Sequence, residues 1–193
     1  MLLFRQGRWA LLAALFLCSA QAQTPAQAPA GTASCAPCHG ADGNSVIAGT
    51  PSIAAQPKVF LENYLVMTRE GIRGSPVMQA LLKGVPDKQI IELAVHYSRQ
   101  KPKASEEKPD RKLFNRGRDI AAKNRCASCH DTGFRGKEQM PRLAGQREEF
   151  LAEVMLQYRQ DKRPGGDTLM SAALYGIPEA DFKALAHYFS RLK

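Results

Sequence analysis

Two five-residue stretches carry the residue types that could do chemistry, Cys35-Ala36-Pro37-Cys38-His39 and Cys126-Ala127-Ser128-Cys129-His130. In each, two thiols stand three positions apart and a histidine follows at once. On a helical turn, thiols at i and i+3 share a face, so both can form thioethers with the vinyl groups of one porphyrin. The histidine at i+4 presents its imidazole to the iron from the same side. Neutral imidazole is a good iron ligand, and the thioethers prevent the group from dissociating. Disulfides, a redox CxxC pair or a four-cysteine zinc site would use the same thiols, but none explains a histidine after each pair. The pattern predicts two covalent haem c groups, attached at Cys35, Cys38, Cys126 and Cys129, with His39 and His130 on the irons.

The elements that must position these residues lie in a chain of 193 residues, enough for one ordinary domain or two small ones. The chain opens with Arg5 and Arg8, an apolar run from Trp9 to Leu17, and Ala20-Gln21-Ala22. A charged region, a short apolar region and an A-x-A site make residues 1–22 a secretory signal, too short to span a bilayer. Cys18 falls inside it, and Leu17 is bulky where a lipid-attachment signal wants a small residue. The other four cysteines all belong to the two motifs, leaving none for disulfides. No later segment is apolar enough to cross a membrane, so the mature chain is expected to be soluble outside the cytoplasm. The formal charge of +9 is spread over mixed acidic and basic residues, which argues against a nucleic-acid surface.

Residues 23–34, rich in Ala, Gln and Pro, read as a loose leader. After the first motif, Phe60, Leu61, Tyr64 and Leu65 give a helical apolar face, and Gly84 can stop a short helix carrying Met78. Pro86 suits the first turn of the next helix, where Ile90, Leu93, Ala94 and Tyr97 recur at helical spacing. The charged, proline-flanked stretch at about 101–110 reads as a linker. The second half repeats this order. Cys35 maps to Cys126, Pro51, Ala54 and Gln56 map to Pro141, Ala144 and Gln146, and Met78, Gly84 and Pro86 map to Met170, Gly176 and Pro178. The expected fold is therefore all-α, with two tandem domains at 23–104 and 105–193, each wrapped around one haem. Leu113, Gly117, Ile120 and Ala121 mark an amphipathic helix before the second motif, whereas little room exists for one before the first. Modules of this size have marginal side-chain cores, and a covalent haem would supply the missing apolar mass.

The sixth iron ligand decides between carrying electrons and binding substrates. Only Met78 and Met170 correspond in the repeat, 39 and 40 residues after their histidines, so they are the expected thioether ligands. Met155 continues the Phe150-Leu151 face and reads as core. His96 and His187 lie off the apolar faces of their helices and read as residues of the polar flanks.

With these residues in place, the chain resembles a diheme class I cytochrome c, similar both to cytochrome c4 and to the haem subunit of flavocytochrome c sulfide dehydrogenase. The resemblance is carried by CAPCHGADG, by the Met78 and Met170 segments and by PRLAGQ. The stretches GNSV, TPSIA and YRQDKRP lean toward the flavocytochrome subunit. The short opening of the first module and the absence of CHGxDG at the second site depart from the c4 pattern. The resemblance implies packed all-α domains with both haems near their interface, and His/Met coordination. It also implies that the carbonyls of Pro51 and Pro141 orient the ligand imidazoles, and that Gly117 sits where two helices cross. It implies a periplasmic carrier of single electrons, with no active site of its own. Its redox partners would be a flavoprotein dehydrogenase or quinol oxidoreductase upstream, and a terminal oxidase or small cytochrome downstream. The alternative is a haem enzyme, such as a diheme peroxidase with one open iron; the paired methionines argue against it.

Overall fold

The computed structural model describes residues 28–193; the expected signal at 1–22 and the start of the expected leader lie outside the described residues. Among the described residues nine α-helices follow in order: α1 Thr32–His39, α2 Lys58–Arg69, α3 Pro76–Leu82, α4 Asp87–Ser98, α5 Arg111–Lys123, α6 Ala127–His130, α7 Glu148–Arg159, α8 Thr168–Leu174 and α9 Phe182–Ser190. Among the described residues there is no β-strand, only an isolated bridge between Lys137 and Met140. The expectation of an all-α chain holds.

Local chemistry starts the helices. Ser75 accepts from the Met78 N–H at 3.3 Å, with Pro76 already in helical register. Asp110 accepts from the Lys112 and Leu113 amides at 2.8 and 3.0 Å, and Asp167 from the Leu169 amide at 2.7 Å. Each cap satisfies N–H groups that a helix start would otherwise leave unpaired. Pro86 stands one residue outside α4, at its N-cap and not in its first turn.

The repeat is visible at backbone level. The Gly43 carbonyl accepts from the amides of Ile53 and Ala54, and the Phe134 carbonyl accepts from those of Leu143 and Ala144. The Ala55 amide donates to the Tyr97 carbonyl at 2.9 Å, and the Gly145 amide to the Phe189 carbonyl at 2.9 Å. In the first half α2 packs on α3 and α4, burying Ile90, Leu93, Ala94 and Tyr97 as the spacing predicts. In the second half α5 crosses α9, and α7 packs on α8 and α9.

The halves differ where the sequence is short. No counterpart of α5 precedes α1 among the described residues; instead Ala30 lies on α4, accepting from Gln89 Nε2 at 2.9 Å. The consequence is unequal cover. Seven of the nine residues of α9 are buried, against four of twelve in α4. The connecting stretch is tethered at both ends. Asn44 pairs with the Lys101 carbonyl and the Lys103 amide at 3.0 and 2.8 Å, and Glu107 pairs with Arg191 at 3.0 Å. The ammonium of Lys103 also holds the Asp42 carboxyl below the usual carboxylate range.

At the α5–α9 crossing, a Cβ on Gly117 would lie 2.1 Å from the Ala184 carbonyl oxygen and 2.6 Å from Tyr188 Cβ. A backbone carbonyl cannot swing aside, so overpacking here falls at the severe end of its range. Gly117→Val is expected to cost about 3 kcal/mol in urea unfolding followed by far-UV circular dichroism. Gly176→Ala, with nothing within 4 Å, should stay within about 0.5 kcal/mol of the parent.

Candidate functional site

Both motifs sit on helical turns that end at their histidines. Cys35 through His39 lie in α1, while Cys126 caps the one-turn α6. The four thiols are unpaired; Cys35 and Cys126 are half-buried, and Cys38 and Cys129 are exposed. Burial pushes the Cys35 and Cys126 thiols up from their ordinary value. The residue after each histidine combines positive φ with extended ψ, Gly40 at φ 81°, ψ 150° and Asp131 at φ 67°, ψ 163°. Glycine adopts this at no steric cost, whereas aspartate holds it under strain, so the second module keeps the same turn without the glycine.

Each imidazole is held the same way. His39 Nδ1 lies 2.8 Å from the Pro51 carbonyl oxygen, and His130 Nδ1 lies 2.9 Å from that of Pro141. A carbonyl oxygen only accepts, so Nδ1 carries the proton and Nε2 keeps its lone pair. Both rings are buried, and burial lowers their pKa more than the carbonyl bond raises it. A neutral imidazole with Nδ1–H fixed and Nε2 free is the form a metal takes.

Met78 and Met170 are structural equivalents, each the third residue after the capping side chain of α3 or α8, and each half-buried. Met155 is 4% exposed and lies in the core of the second half, as expected of a packing residue. The polar-flank reading of His187 is wrong. It is 5% exposed, with Nδ1 3.0 Å from Glu148 Oε2 and Nε2 accepting from the Asp110 amide at 3.0 Å. Its ring ties the start of α5 to α9 and has no nitrogen left for a metal. His96 is half-buried and packs edge-on against Tyr97. Among the described residues no three His, Cys, Asp or Glu side chains gather as a metal cage.

Between the modules lies a crossed set of hydrogen bonds that the sequence aligned without assigning a role. The Gln56 amide pairs with both the N–H and the C=O of Arg142, each at 2.9 Å. The Gln146 amide pairs with the N–H and the C=O of Ser52 at 2.7 and 2.8 Å. Arg73 and Arg163, also missed, are a second matched pair. Their guanidinium groups lie over the Tyr64 and Tyr158 rings at 5.0 and 5.3 Å, and Arg73 bonds Tyr158 Oη across the modules at 2.9 Å. The Nε atoms of both are buried without a partner, and neither arginine makes an ion pair among the described residues. The signal that could have found both pairs is the repeat itself, which places like side chains at like positions.

The residues fit a haem at each motif: reachable thiols, a neutral imidazole with a free nitrogen, a half-buried thioether, and guanidinium groups lacking the anion that propionates would supply. Comparison with known proteins agrees. A family model described as Cytochrome c matches residues 114–193. The chain is 27% identical to cytochrome c4 of Pseudomonas aeruginosa, over 82% of this chain and 83% of that one. It is 29% identical to the thiosulfate dehydrogenase electron acceptor of Thiomonas intermedia, over 86% and 81%. The crystal structure of reduced cytochrome c4 from Pseudomonas stutzeri superposes with a TM-score of 0.78 at 25% identity, covering 86% of this chain and 99% of that one.

Intact-mass measurement of the secreted protein is expected to show two haem additions that survive acid-acetone extraction. Replacing Cys126 and Cys129 with serine should leave one. Fewer than two on the parent would overturn the reading of the motifs.

Proposed function

The chain belongs to the cytochrome c family and is a diheme electron-transfer cytochrome with two covalent haems c, and from that premise we propose that it is a periplasmic carrier taking single electrons from a dehydrogenase of reduced sulfur compounds. The observation that carries the carrier reading is the equivalence of Met78 and Met170 on matching capped helices. When bound, each haem supplies a reversible one-electron couple at its iron. In this proposal residues 23–104 and 105–193 are the two haem domains. Cys35, Cys38, Cys126 and Cys129 would tether the groups, and His39 and His130 would ligate through Nε2. Pro51 and Pro141 hold the imidazoles at Nδ1, and Met78 and Met170 would supply thioether ligands. Arg73 and Arg163 would neutralise propionates. With His39, His130, Met78 and Met170 all as iron ligands, no iron would be left open for peroxide, which weighs against the diheme peroxidase alternative.

The choice of donor is supported by the relative named as a thiosulfate dehydrogenase electron acceptor, and by the likeness of GNSV, TPSIA and YRQDKRP to the haem subunit of flavocytochrome c sulfide dehydrogenase. Residues 1–22 support a periplasmic location, and no described helix is long and apolar enough to cross a membrane. The downstream acceptor would be a terminal oxidase or a smaller cytochrome.

Two experiments test these readings. Met78→His is expected to lower the reduction potential of one haem and leave the other close to its parent value, with Met170→His doing the reverse and Met155→Leu neither. The reduced parent should not bind carbon monoxide at either iron; binding would mean an open site and an enzyme. For the donor, a sulfide or thiosulfate dehydrogenase should reduce the protein, and flavin co-purifying with the native protein would mark a subunit of a flavocytochrome. Reduction only by a quinol-oxidising complex would refute the sulfur assignment.

A further inference from the structure

The crossed hydrogen bonds between the modules are attached to the same peptide units that hold the two imidazoles. The Pro51–Ser52 peptide accepts from His39 Nδ1 at its oxygen, 2.8 Å, and donates from its nitrogen to Gln146 Oε1, 2.7 Å. The Pro141–Arg142 peptide accepts from His130 Nδ1 at 2.9 Å and donates to Gln56 Oε1 at 2.9 Å. Each peptide therefore takes its oxygen partner from its own module and its nitrogen partner from the other.

We propose that Gln56 and Gln146 are positioning residues, each tuning the iron-ligating histidine of the opposite module through the shared peptide unit. The proposal rests on His39 and His130 as iron ligands. A peptide is one resonant group, so a hydrogen bond accepted from its N–H shifts electron density onto its oxygen. The oxygen of Pro51 then becomes a stronger acceptor for His39 Nδ1–H, which raises the basicity of Nε2 and favours the ferric iron. Ser52, Gln56, Arg142 and Gln146 are 8%, 4%, 8% and 6% exposed, so water does not compete for these bonds and the low dielectric strengthens the chain. The second arm of each glutamine fixes its orientation. Gln146 Nε2 donates to the Ser52 carbonyl at 2.8 Å while Oε1 also accepts from the Arg147 amide at 2.9 Å. Turning the amide over would set like groups against each other at all three contacts.

The prediction is crossed, and that separates it from a role as mere interface packing. In the diheme protein, Gln146→Leu should raise the potential of the haem on His39, a several-fold change in its reduction equilibrium, and leave the haem on His130 much closer to the parent. Gln56→Leu should do the opposite. The His39 Nδ1–H proton resonance of Gln146→Leu should move upfield as its hydrogen bond weakens. Gln146→Glu keeps an acceptor facing the Ser52 amide but loses the donor to its carbonyl, so it should restore the potential to the parent value or below. The haems are told apart by their paramagnetically shifted methyl resonances, assigned with Met78→His. Equal shifts at both haems, a shift only in the module carrying the substitution, or a loss of stability with both potentials unchanged would each overturn the proposal. If Cys-to-Ser variants show that the motifs hold no haem, the underlying ligand reading fails instead, and intact mass reveals that separately.

Discussion

The structure depends on two peptide units, Pro51–Ser52 and Pro141–Arg142, that must satisfy partners on opposite sides of a domain boundary. Proline suits the first place in each unit. It has no N–H to satisfy, and its fixed φ leaves a rigid carbonyl aimed at the imidazole. The six-residue run P-x-x-A-x-Q then alternates half-buried and buried positions identically in both modules. Its second residue offers backbone to the partner module, its fourth enters the core of its own, and its sixth reaches back across. The fifth anchors the run to the last helix of its module, through Tyr97 in one case and Phe189 in the other. Imidazole orientation, loop closure and domain contact are thus set by one short segment used twice.

That economy matters because the modules are small. The first has a sparse cluster of Leu61, Leu93, Ala94 and Tyr97 and no described counterpart of α5. The second, with α5 across α9, buries twelve residues in its cluster and adds His187 as a polar tie between Glu148 and Asp110. A haem fills the apolar deficit in each, and the four buried interface hydrogen bonds supply orientation that so little apolar contact would not. The arginines at the boundary follow the same logic. Burial and the nearby Arg135 lower the pKa of the Arg142 guanidinium, and Arg73 and Arg163 keep unpartnered Nε atoms, so positive charge collects at this boundary.

Much of this was legible in the sequence because the informative residues have few alternative uses. Cys-x-x-Cys-His has one dominant chemistry, proline and glycine mark fixed backbone positions, and the repeat doubled every signal. It placed α2–α4 and α7–α9 and the Met78 and Met170 pair, while the family resemblance placed Gly117 at a helix crossing. What escaped was polar and long-range. His187 looked like a flank residue because helical periodicity counts apolar neighbours, whereas its burial comes from Glu148 and Asp110, distant in sequence. Phe134, which takes the place of Gly43 and holds φ 59° to enter the core beside Phe189, breaks the repeat that would have announced it. Gln56 and Gln146 were aligned but silent, since a glutamine's role depends on which backbone it meets.

The central claim is that the Ser52 and Arg142 amides are sealed donors joining each imidazole support to the other module. Amide hydrogen exchange of the diheme protein tests it most directly. The account predicts that these two amides exchange as slowly as the interior amides of α4 and α9, and that they become exposed together. Exchange at the rate of open loop amides, or protection of one without the other, would contradict it.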